Sequence, residues 1–136
     1  DRDFLEAENY FQMQVASPDR SGDEITEGCC VVARAARLRG AAVTFFKYTS
    51  KVIAGDGCSE ICCELGYFYE ETGDFEEAAV WYYNAAYETQ PVLALRSSEE
   101  EPLQGLIRCY EHLGLPAQAR SYAEELKHRQ NEQTDN

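Results

Sequence analysis

The stretch CCELGYFYEETGDFEEAAVWYYNAAYETQP, residues 62–91, decides the fold. Apolar side chains recur at helical spacing on both sides of Thr72-Gly73-Asp74, a triplet suited to a tight turn. Leu65, Gly66 and Tyr69 fall on the first helix, and Ala78, Tyr82 and Ala85 on the second. Small residues at Gly66 and Ala78 allow two antiparallel helices to approach closely, while Leu65, Tyr69 and Tyr82 fill the space around the contact. The segment therefore predicts a helical hairpin that stops at Pro91.

Leu65-Gly66 followed by Tyr69, a turn, a helix of small and aromatic residues and a closing proline resemble the tetratricopeptide repeat (TPR), with Cys62 standing where that repeat carries Trp. Internal repetition agrees, because Cys29 to Cys62, Cys30 to Cys63 and Gly40 to Gly73 are each 33 positions apart. A repeat of about 34 residues is the family's period. The resemblance implies an all-α chain folded as a right-handed α-solenoid of helix-turn-helix units, about seven helices in all. One domain over 1–129 is expected, with a half repeat at 1–17, repeats at about 22–54, 57–90 and 99–129, and a disordered tail at 130–136.

Outward from the central stretch, the chain supplies the matching parts. Residues 3–16 read as a second helix without its first, because DFLEAENYF parallels DFEEAAVWY and aligns Phe4 with Phe75 and Ala7 with Ala78. That parallel predicts a natural chain that continues upstream. A Ser21-x-x-Glu24 capping box opens the next helix, which turns Cys29, Val32, Ala33 and Ala36 inward and ends at Gly40. The helix over about 41–54 is expected to bury Val43, Phe46, Val52 and Ile53. Ser98-x-x-Glu101 with Pro102 starts a helix carrying Leu103, Leu106, Ile107 and Tyr110. Pro116 starts the last, with Ala117, Ala119, Tyr122, Ala123 and Leu126 inward, to about Arg129.

Residues 75–89 form the most aromatic of these helices, and Gly73 to Gly114 is 41 positions, about seven more than the repeat requires. Trp81, Tyr83 and Tyr87 are expected to be covered by Val92, Leu93 and Leu95 of that insertion, with Asn84 bonded to backbone in 89–99. This aromatic helix and loop would then act as one unit.

A net charge of −13 repels phosphate backbones and anionic membranes, so neither nucleic acid nor a membrane is an expected partner. No apolar run long enough to span a bilayer and no signal peptide is legible, which predicts a cytoplasmic protein. Cys29-Cys30 and Cys62-Cys63 lie on helices where neighbours point about 100° apart, so neither pair closes on itself. The six cysteines are expected as reduced structural thiols; Cys58 and Cys62, one turn apart, have the only plausible metal geometry and lack further ligands. No metal or cofactor is expected.

The run from Cys62 to Thr89, followed by PVLAL and PLQGLIRCYEHLG, resembles the C-terminal TPR segment found behind family 2 glycosyltransferase domains in Firmicutes. That resemblance implies a non-catalytic accessory region, with the nucleotide-sugar domain upstream. Asp1-Arg2-Asp3 matches the D-x-D of metal-dependent glycosyltransferases only superficially, since it opens a helix where acidic residues favour the positive end of the dipole. His112 and His128 lie near helix ends without a nucleophile partner legible in the sequence, so no catalytic residue is assigned.

In TPR folds the first helices of successive units line a concave groove. Here that surface would present Arg34, Arg37, Tyr67, Glu70, Arg108 and His112, with Arg34 and Arg108 placed to pair a carboxylate-bearing segment on either side of Tyr67. The expected function is a TPR interaction scaffold in a glycosyltransferase that makes domain, acceptor or self-association contacts. The alternative is a free-standing adaptor that binds a protein or peptide segment.

Overall fold

Six helices make up the regular structure of the described residues, 22–55, 57–91 and 100–134, in a computed structural model; no strand occurs among them. In chain order they are α1 (Gly22–Leu38), α2 (Ala42–Ala54), α3 (Ser59–Glu71), α4 (Phe75–Tyr83), α5 (Glu100–His112) and α6 (Pro116–Thr134). The seventh helix, expected over 3–16, and the Ser21 and Ser98 capping residues lie outside the described residues.

Consecutive helices pair as hairpins, α1 with α2, α3 with α4 and α5 with α6, and the first helix of each hairpin packs on the first helix of the next. The three turns share one chemistry. Gly40, Gly73 and Gly114 have φ of 72°, 86° and 72°, a left-handed backbone that side chains with a Cβ disfavour. The amide after each glycine donates five residues back, from Ala41 to Ala36 (2.8 Å), Asp74 to Tyr69 (2.9 Å) and Leu115 to Tyr110 (2.9 Å). The glycine amide itself donates to Arg37, Glu70 and Glu111 respectively. Together these bonds satisfy helix carbonyls that would otherwise lack partners. Asp74 also caps α4, its side chain accepting from the amide of Glu77 at 3.2 Å.

Burial is divided between two adjoining clusters. Cys29, Val32, Ala33, Ala36, Phe45, Tyr48, Ile61 and Leu65 belong to the first, and Cys62, Ala78, Tyr82, Leu103, Leu106 and Cys109 to the second. Trp81 and Tyr69 pack against both and so join them. The fully buried ring of Tyr82 lies between Gly66 of α3 and Gly105 of α5: a Cβ on Gly66 would sit 2.6 Å from Cε1, and one on Gly105 would sit 2.5 Å from Cζ. Three helices thus meet where two of them have no side chain.

The buried face of α2 differs from the expected one. Val43 is 88% exposed and Ile53 39%, whereas Phe45, Tyr48, Thr49 and Val52 are buried. Phe45 aligns with Ala78 in the repeat but shares its cluster with Ala33 and Ala36, so a large side chain on α2 is accommodated by small ones on α1. Phe45 also stacks on Phe68 of α3, with centroids 4.9 Å apart.

Two helix ends depart from expectation as well. The helix begun by α4 widens to π geometry over Asn84–Glu88, and the Thr89 hydroxyl closes it by donating to the carbonyl of Asn84 at 2.8 Å. Beyond it the chain returns to the start of α3, where the Ser59 amide donates to the carbonyl of Gln90 at 3.0 Å. At the far end α6 continues to Thr134 instead of ending near Arg129. Neither Gly nor Pro interrupts it there, and Glu125–Arg129 and His128–Glu132 pair at i,i+4.

Candidate functional site

The face made by α1, α3 and α5 carries a continuous polar line. Arg37, at the end of α1, donates from Nε to Glu64 at 2.7 Å and from a terminal nitrogen to Glu71, both on α3. Its guanidinium also lies 4.9 Å from the ring centroid of Tyr67. The side chains of Arg37 and Glu64 are 9% and 5% exposed, so this is a buried ion pair. Burial acts against the Arg37 charge, but the bonds and charges of Glu64 and Glu71 outweigh it and raise its pKa.

One helix further on, the Tyr67 hydroxyl donates to Glu101 at 3.3 Å, and the Tyr67 ring meets that of Tyr82 edge-on. Glu70 gathers three bonds: Arg108 donates from Nε at 2.8 Å and from a terminal nitrogen at 3.0 Å, and the Tyr82 hydroxyl donates at 2.6 Å. Burial pushes the Glu70 carboxyl up, yet the Arg108 and Tyr82 bonds prevail and hold it below its ordinary value. Arg108 is correspondingly raised, chiefly by its bond to Glu70. His112 stacks on Phe75, the ring centroids 4.2 Å apart and the planes 2° from parallel.

Five of the six residues read from sequence, Arg37, Tyr67, Glu70, Arg108 and His112, therefore occupy one connected surface with mutual or neighbouring partners. Arg34 stands exposed on α1, three positions before Arg37. The expectation that Arg34 and Arg108 both offer themselves to a carboxylate needs correction at Arg108, whose fork is engaged by Glu70. Glu64, Glu71 and Glu101 were missed. For Glu64 and Glu71 a signal was available, since Glu60, Glu64, Tyr67 and Glu71 form one stripe of α3 at helical spacing and Cys63, Tyr67 and Glu70 an adjoining one; Glu101 lies on α5 and has no such mark.

Of the aromatic unit read from sequence, Trp81, Tyr83, Asn84 and Tyr87 are described. Val92, Leu93 and Leu95 lie outside the described residues. Trp81 is half-buried, donates from its indole to Glu77 at 3.2 Å, and walls a cleft of about 360 Å³ with Phe46, Ile53, Leu65 and Tyr69. The rings of Tyr83 and Tyr87 meet at a tilt of 40°, centroids 4.9 Å apart, and the two residues remain 42% and 39% exposed. Tyr87 also faces Tyr122 and lies under the Arg129 guanidinium, both on α6. At Asn84 the carbonyl accepts from Thr89, and Asn84, Val80 and Tyr83 border a second cleft of about 430 Å³ closed by Tyr110 and Leu113.

All six cysteines are buried and unbridged. Cys30 and Cys58 form a close pair, their sulfurs 3.6 Å apart. Among the described residues no group of three metal-ligating side chains converges. Comparison with protein-family models, curated proteins and solved structures returns no match.

Proposed function

We propose that the chain is a non-catalytic, cytoplasmic interaction scaffold built as a TPR-like right-handed solenoid, with the α1/α3/α5 face as its partner surface. The observation that carries this reading is the threefold recurrence of one hairpin turn at Gly40, Gly73 and Gly114, with the same two backbone bonds each time. Stacked hairpins of one kind present their first helices side by side, which suits recognition of an extended protein segment. Arg37 and Arg108 are held by carboxylates of α3, so partner contact falls to exposed Arg34, His112 and the outer edge of Arg108. Selection of peptide segments from a displayed library on the folded domain tests the proposal. Binders should lose affinity with Arg34→Ala and His112→Ala; binders sensitive only to substitutions on α2 or α6 would refute the assignment of the face.

A more specific reading follows the wording of residues 62–114: the domain is the C-terminal accessory region of a family 2 glycosyltransferase, holding the catalytic domain, its acceptor or a second copy. The natural sequence preceding Asp1 decides it. A strand-rich nucleotide-binding domain there supports this reading, and its absence leaves the free-standing adaptor.

A further inference from the structure

Cys30 on α1 and Cys58 at the N-cap of α3 meet across the junction of the first two hairpins, 28 positions apart in sequence and with sulfurs at 3.6 Å. Both are buried, at 5% and 0% exposure. A disulfide bond is about 2.05 Å long, so the sulfurs need approach by only about 1.5 Å, within reach of small side-chain rotations. The two differ in character. The two thiols share one hydrogen bond in which either sulfur can donate, and the backbone amides of Ile61 and Glu60 at the start of α3 favour a thiolate at Cys58. The Cys30 bond lowers the Cys58 pKa against the opposing effect of burial, and the same bond raises Cys30. The Glu60 carboxylate acts against a thiolate on either sulfur.

We propose that Cys30 and Cys58 are a reactive dithiol, which a hydroperoxide closes into a disulfide that ties α1 to α3. The Cys58 thiolate attacks the distal peroxide oxygen, the O–O bond breaks, and the leaving oxygen departs as water or alcohol after taking up the thiol proton. Cys58 is then a sulfenic acid. The Cys30 sulfur attacks the Cys58 sulfur, the S–O bond breaks, and the hydroxyl leaves as water with the Cys30 proton. Two thiols lose one electron each, and the peroxide accepts both.

Cys29, Cys62 and Cys109 stay out of this reaction. Cys29 points about 100° away from Cys30 around α1. Burial raises Cys62 to about 11 and Cys109 to about 12, where little thiolate exists at neutral pH. Peroxide reaches the buried pair through local opening of the α1/α3 contact, so oxidation should be slow and accelerate under mild denaturant.

The 136-residue chain, treated with hydrogen peroxide while folded and then alkylated in denaturant, provides the test. The expected product has lost two hydrogens and carries four alkyl groups, against six for the reduced chain. That product should persist in Cys29→Ala and Cys62→Ala and vanish in Cys30→Ala and Cys58→Ala. Proteolysis after Glu60 separates Cys58 from Cys62 and Cys63, and fragmentation of the linked peptide in the mass spectrometer separates Cys30 from adjacent Cys29, so the wild type identifies the bond even where a variant fails to fold. Six alkylated thiols after treatment, or a bridge between any other two cysteines, would overturn the proposal.

Discussion

The ring of Tyr82 rests on Gly66 so closely that a methyl group there would lie 2.6 Å from Cε1, with Gly105 equally close on the side of α5. Overpacking a buried contact of this kind costs about 1–3 kcal/mol. Gly66→Ala and Gly105→Ala should each lower the denaturation midpoint by that equivalent. Adding Tyr82→Leu to either should cost less than the two single effects combined, because the smaller side chain relieves the clash. Strict additivity in the double-mutant cycle would show that the ring and the glycines are not coupled.

Glu70 should make the fold acid-sensitive. Its folded pKa is depressed by Arg108 and Tyr82 despite burial, so the unfolded chain takes up the proton more readily. The associated stability is present above the ordinary carboxyl value of 4.5 and is lost as pH falls through the folded value. Glu70→Gln should flatten that part of the stability profile and cost about 1–2 kcal/mol at neutral pH, the half-exposed Arg108 softening the loss. Urea titrations from pH 7 to pH 3 would measure both, and parallel profiles for wild type and variant would exclude Glu70 as the sensor.

The Arg37–Glu64 pair predicts an asymmetric response. Glu64→Leu leaves a buried guanidinium with Glu71 as its remaining carboxylate and should cost about 3 kcal/mol. Replacing both residues, by Arg37→Met and Glu64→Leu, should cost less than the single change. Equilibrium unfolding of the three variants would reveal the opposite order if the pair were a net source of stability.

Trp81 offers an optical probe of the junction between the first two hairpins. Phe46 lines the same cleft, and Phe46→Ala should open it to water and shift Trp81 emission to the red. Unchanged emission would mean that Glu77 and Tyr69, not Phe46, set the indole's surroundings.

The hairpin turns were legible in sequence because a left-handed backbone position is a local demand that glycine answers by itself. Cys29, Val32, Ala33 and Ala36 are buried as the spacing predicts, while Val31 and Leu38 of the same helix stay exposed. The face of α2 was not legible. Val43, Phe46 and Ile53 make as good an apolar stripe as Phe45, Tyr48 and Val52, and the choice is made by Ala33 and Ala36 on another helix. At the candidate site the helix positions of Arg37, Tyr67, Glu70 and Arg108 were legible, and the pairing of Arg37 and Tyr67 with Glu64, Glu71 and Glu101 was not. Which carboxylate holds Arg108 depends on how α3 lies against α5, a relation between elements that spacing along one helix does not carry. The π turn at Asn84–Glu88 left no recognisable mark in the residues that form it.

The bond from the Ser59 amide to the Gln90 carbonyl brings the two ends of the middle hairpin to a single point. A segment whose entrance and exit coincide can be copied, lost or followed by extra residues with little displacement of what lies on either side. The sequence excess between Gly73 and Gly114 falls directly after this point, where lengthening the chain disturbs the neighbouring units least.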